Sequence, residues 1–208
     1  LRGTMASLRR ALDVMLVGLL VVILDVRIDG ADLLPDPLGF AAAAVGVLLA
    51  RRGGFPPGWA TVAAAAFLVT AVLAVPDVVA PGKPFTGIRV APRDAEGLAE
   101  SLLSTSQDAA LGAAMMALSL AAAARGAAAL ARHARWLAVA FGVLIALGLV
   151  VDAAWLAGVD DDVLVYALVL FVPSLVAFVL ALVLMWRGRD LAPPGGVRED
   201  EPPAHSPT

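Results

Sequence analysis

Two apolar runs joined by a charged turn, within the first 52 residues, constrain this chain more than any other feature. Val14 to Leu24 is apolar, and the chain then passes through DVRIDGADLLPDPLGF at residues 25–40. A second apolar run, Leu38 to Ala50, stops at Arg51-Arg52. A helix that buries one stripe in a soluble core alternates apolar and polar residues, whereas a helix apolar on all sides belongs in a large core or a bilayer. The clumping recurs along the chain, and repeated runs of this kind read as membrane-spanning helices. Spans are expected at Ala11–Val26, Leu38–Ala50, Trp59–Val75, Ala109–Ala124, Trp136–Ala154 and Val163–Trp186. The fold class predicted is therefore all-α, an integral membrane bundle of six transmembrane helices. Residues 1–190 form that domain, and residues 191–208 form a disordered cytoplasmic tail too poor in apolar surface to offset its ordering entropy.

Composition agrees. Hydrophobic residues make up 61% of the 208 and charged residues 16%, against about half and a quarter in ordinary soluble domains. Mean hydropathy is +0.89. With no cysteine and two histidines, disulfides, thiolate chemistry and a His-rich metal centre are excluded. Lys83 is the single lysine among many arginines, a bias that fits a GC-rich bacterial genome. The leading residues Leu1 to Thr4 are expected to lie upstream of a start at Met5, and the first apolar run is expected to be a retained helix rather than a cleaved signal.

Charge placement sets orientation. If six helices alternate, Arg9, Arg10, Arg51, Arg52, Arg125, Arg132, Arg135, Arg187 and Arg189 fall on one side. Asp29, Asp32, Asp36, Asp77, Asp94 and Asp160 to Asp162 fall on the other. The positive-inside rule then places both termini in the cytoplasm of a bacterial cell membrane. Small residues recur every four positions in two spans, Ala42, Gly46 and Ala50 in one and Ala109, Ala113, Ala117 and Ala121 in the other. Such stripes let helix backbones approach closely. Between the third and fourth spans, a short amphipathic helix capped by Asp94 is expected on the outer surface before the chain re-enters at Ala109.

Ionisable residues near or within the spans are the candidate sites. Asp25, Arg27, Asp29, Asp32 and Asp36 crowd the first turn, where they suit a cation or substrate vestibule and equally a solvated acidic turn. Asp25 and Asp29 share a face if the first helix continues to Ile28. Asp13 and Asp25 are separated by about 18 Å of helix, too little to span a hydrocarbon core of about 30 Å, so at least one faces the bundle interior. A carboxyl at that depth is a functional candidate, although Asp13 can instead pair with Arg9 or Arg10. Asp108 and Asp152 are further cases of the same kind. Ser101, Ser104, Thr105 and Ser106 read as helix-start or surface hydroxyls. No phosphate loop, nucleophile elbow or zinc motif occurs, so no metal, cofactor or nucleic-acid partner is expected, and a membrane enzyme ranks third among the functional readings.

The pattern Asp25-x-Arg27-Ile28 followed by Leu34-Pro35-Asp36-x-x-Gly39-Phe40 resembles the opening hairpin of a family of small uncharacterised bacterial membrane proteins. The resemblance covers the first hairpin alone and implies no activity. Two functional classes stay open: a small cation- or proton-linked transporter-like protein, or a structural or accessory subunit. The partners expected are the lipid bilayer and, for the second class, another membrane protein or a second copy of the chain.

Overall fold

The computed structural model describes residues 2–24, 27–28, 31–32, 36–75, 95–157 and 163–191, with side chains described for 8–23, 36–75, 98–157 and 170–191. Among the described residues the chain is helical, with six helices and one minimal two-stranded ladder. The helices are α1 (Arg2–Leu24), α2 (Asp36–Arg52), α3 (Pro57–Leu73), α4 (Ala95–Ala123), α5 (Ala128–Leu156) and α6 (Val163–Gly188). Strand β1 (Arg27–Ile28) pairs antiparallel with β2 (Ala31–Asp32), Arg27 opposite Asp32.

The helix limits have local causes. Helix α2 opens with Asp36 and Pro37 and closes with Arg51 and Arg52. Proline tolerates the first turn because its missing N–H would be unpaired there anyway, and the terminal charges complement the helix dipole. Pro56 and Pro57 start α3 in the same way. Gly54, at φ +106°, and Gly126, at φ +76°, reverse the chain after α2 and α4 in a conformation that favours glycine.

Each helix packs on its neighbour in sequence, and α6 returns to touch α1 and α4. The most intimate contact is α1 on α2. A Cβ placed on Gly18 would lie 2.5 Å from the Gly39 carbonyl oxygen. One on Gly46 would lie 2.7 Å from the Met15 nitrogen and 2.8 Å from the Ala11 carbonyl. Gly53 meets Leu8 one step further along, so the two helices run antiparallel with their backbones nearly touching. Ala42 lies against Gly18, and Gly46 and Ala50 are buried, so the small-residue stripe of α2 lies within this helix contact. The α4 stripe does the same work: Ala113, Ala117 and Ala121 are buried, and Gly112 faces Phe141 of α5. Larger side chains fill the centre, including Leu12, Met15, Leu111, Met115, Leu118 and Met185.

Two expectations are corrected. First, α4 is continuous from Ala95 to Ala123. No surface helix breaks off before Ala109, because hydroxyls on this stretch bond to neighbouring helices: Ser101 donates to Asp152 of α5, and Thr70 of α3 lies 2.9 Å from Ser106. Ser101, read as a helix-start or surface hydroxyl, is buried. Second, α1 ends at Leu24 and Arg27–Ile28 is extended, so the first helix does not continue to Ile28. Asp25 and Asp29 themselves, the segment 76–94 and the tail from 192 lie outside the described residues.

The glycine contact has a measurable consequence. Gly46→Leu must push α1 off α2 and is expected to cost about 1–3 kcal/mol, the usual penalty of overpacking. Gly142 has open space around its Cβ position, so Gly142→Ala is expected to be neutral or slightly stabilising. Thermal unfolding of both variants in detergent micelles checks the contrast.

Candidate functional site

The polar residues of the bundle are sorted into two ends. At one end Arg9, Arg10, Arg51, Arg52, Arg132, Arg135 and Arg187 are exposed. They come from the start of α1, the end of α2, the start of α5 and the end of α6, which the antiparallel packing brings together. Arg125 is held more tightly there. Its guanidinium donates to the Ala121 carbonyl at 2.8 Å and to the Gly53 carbonyl, tying the α4–α5 turn to the α2–α3 turn. Burial pulls its pKa below the ordinary value, yet an arginine remains charged, so the contact acts as a permanent cationic brace.

Asp13 belongs to this end. Its carboxylate lies 2.7 Å from Arg189 Nε, in a charge pair that is not aligned as a hydrogen bond. The Arg189 guanidinium also stacks 4.0 Å from the Trp186 ring centroid. The described partner of Asp13 is thus a residue just past the end of α6, not the neighbouring Arg9 or Arg10. A half-exposed pair of this sort contributes up to about 1 kcal/mol; its structural effect is to join the first helix to the last.

A second polar group runs along one face of α4. Ser101, Thr105 and Asp108 are spaced four and three residues apart, which stacks them on a single helix face. Ser101 is 4% exposed and Asp108 6%. The Ser101 hydroxyl donates to the Asp152 carboxylate of α5. On the neighbouring face, Thr70 of α3 lies 2.9 Å from Ser106 and 2.8 Å from the Ala66 carbonyl, so its one proton serves either acceptor. Nearer the basic end, Ser119 donates to the Ala131 carbonyl at 2.8 Å. Asp108 stands roughly 22 Å from the end of α4 at Ala123, at about 1.5 Å per residue.

The sequence-predicted residues therefore separate. Asp108 and Asp152 share the α4–α5 region, Asp13 sits at the basic end, and Asp36 occupies the first turn of α2. Arg27 and Asp32 face each other in the backbone ladder. Sequence reasoning took Ser101, Thr105 and Ser106 for helix-start or surface hydroxyls and did not single out Thr70; the spacing from Ser101 to Asp108 was the available signal. Carboxyls flanked by hydroxyls in an apolar bundle can hold a proton or bind a desolvated cation. Among the described residues no group of three or more His, Asp or Glu side chains is placed to hold a metal ion.

The exterior is apolar. Helices α5 (Ala128–Leu156) and the Leu170–Gly188 part of α6 are long and apolar enough to cross a membrane, and only 22% and 33% of their most apolar stretches are buried. Helix α3 is apolar but shorter. Exposed aliphatics extend to every helix, including Val17, Val45, Val72, Leu102, Val150 and Val176. Three of the four tryptophans, Trp59, Trp136 and Trp186, are also exposed, each near the arginine end of its helix. No family model, curated protein or solved structure matches the chain.

The Ser101–Asp152 link predicts a coupling. A double-mutant cycle of Ser101→Ala and Asp152→Ala is expected to give an interaction energy of about 1 kcal/mol, in the range of interhelical hydrogen bonds, read from thermal unfolding in micelles. Additive losses refute it.

Proposed function

We propose that the chain is an integral protein of the cytoplasmic membrane, with six spans and both ends on the arginine side, and that its α4–α5 carboxyls serve a proton- or cation-linked, transporter-like role. The observation that supports the membrane setting is the apolar exterior: a soluble fold would leave far more aliphatic surface in water than monomers tolerate. The exposed tryptophans beside the arginines fit an interfacial belt on the positive side. Helix α2, at 17 residues, spans about 25 Å and crosses with local thinning of the bilayer. The resemblance of the first hairpin to small bacterial membrane proteins is consistent with this setting.

Within it, the depth of Asp108 supports the functional part. An ionisable group well inside a bilayer costs several kcal/mol and is retained where it acts. Asp25 stays in the candidate set by its sequence position. In the sequence it is grouped with Arg27, Asp29, Asp32 and Asp36.

A second reading rests on a different observation. Leu12, Met15, Leu111, Met115, Leu118 and Met185 fill the centre of the bundle. A filled centre suits a structural or accessory subunit that carries nothing through itself.

Two measurements decide. Reporter fusions after Arg52, Gly126 and Arg189 should give cytoplasmic signals, and fusions after Gly87 and Gly158 periplasmic ones; a periplasmic signal at Arg189 overturns the topology. In proteoliposomes, proton or cation flux should fall to the level of empty vesicles for Asp108→Asn or Asp152→Asn. Wild-type protein without flux favours the accessory reading.

A further inference from the structure

Helices α5 and α6 pack less extensively than α4 and α5, and a groove of about 490 Å³ opens between them at the arginine end. Its walls follow a definite order. His133 on α5 and Arg187 on α6 stand at the mouth, Trp136 follows, and Ala140, Leu180 and Val183 line the inner part. Leu137 and Leu184 are buried and form its floor. Because the helices are antiparallel, positions 133 to 140 and 187 to 180 descend together, about 10 Å along the axis. From mouth to depth, the groove thus passes from cation to aromatic ring to aliphatic wall.

We infer that this groove is a binding site for one anionic phospholipid, its phosphate at Arg187 and His133 and an acyl chain against Leu180, Val183 and Ala140. The inference rests on the membrane reading above. Charge complementarity commits it to this occupant. A phosphate takes charge-assisted hydrogen bonds from a guanidinium and from an imidazole N–H, and basic pockets between spans on the cytoplasmic side recognise such headgroups. A packed helix from another protein would gain nothing from a guanidinium and an imidazole at the mouth. A water-soluble anion would gain nothing from the open aliphatic wall. Arg132 and Arg135 line a second, smaller groove on the far side of Trp136; they raise the local positive potential without entering the first.

The test is native mass spectrometry of the full chain released from micelles containing phosphatidylglycerol or phosphatidylcholine. Wild-type protein should retain one phosphatidylglycerol in preference to phosphatidylcholine. Arg187→Gln with His133→Gln should weaken that retention roughly tenfold, as expected for lost charge-assisted contacts. Arg51→Gln with Arg52→Gln, which removes charge at the same end but outside the groove, should leave it unchanged. Val183→Trp, which fills the wall, should abolish retention of either lipid. Equal retention of the two lipids, or an equal loss in the Arg51/Arg52 variant, overturns the site in favour of diffuse attraction. Disulfide formation between two copies of Val183→Cys in native membranes, in a chain that otherwise has no cysteine, overturns it in favour of a second copy. A chain that is monodisperse without detergent sinks the membrane reading itself, whereas one that needs detergent yet retains no lipid sinks only the site.

Discussion

The close approach of α1 and α2 is the contact on which the rest of the bundle depends. With Gly18, Gly39 and Gly46 at the crossing, backbone meets backbone, and the contact gains dispersion from many atoms at short range. In a lipid setting this matters more than in water. Apolar side chains gain nothing by leaving lipid for protein, so association must come from packing and from polar links between helices. At this crossing glycine and alanine take the facing positions, while larger side chains such as Met15 and Leu111 fill the centre and other aliphatics stay exposed.

Polar links supply what packing leaves out. Ser101 with Asp152 joins α4 to α5, Thr70 with Ser106 joins α3 to α4, and Ser119 reaches the start of α5. Each link falls between helices adjacent in the ring, so each fixes one register. Arg125 is different, because it joins two turns that are 72 residues apart in the chain. Its neighbour Gly54 leaves the room: a Cβ there would lie 2.5 Å from the guanidinium. The positive φ of Gly54 and its missing side chain thus serve one requirement.

The sequence made the helices legible because their apolar content is dense and unbroken. The expected Trp136–Ala154 and Val163–Trp186 runs sit inside the observed Ala128–Leu156 and Val163–Gly188. Even Pro173 does not end α6. The first half of α4 was legible as a helix but not as part of one continuous span. Glu100, Ser101, Ser104, Thr105 and Asp108 dilute its hydropathy, and only their helical spacing betrays a buried face. The small-residue stripes could be read from spacing alone. The partner of Asp13 could not, because local proximity favours Arg9 and Arg10 while the fold delivers Arg189.

The Asp13–Arg189 pair carries a consequence for how the molecule is made. Its basic member is translated 176 positions after its acidic one (189 − 13). At about 5–20 residues per second, roughly 9 to 35 s separate the two. During that interval α1 has its α2 partner but lacks the neighbour that closes the ring. The nascent protein is an open arc of helices, and translation of the last turn of α6 is the event that turns the arc into a closed bundle.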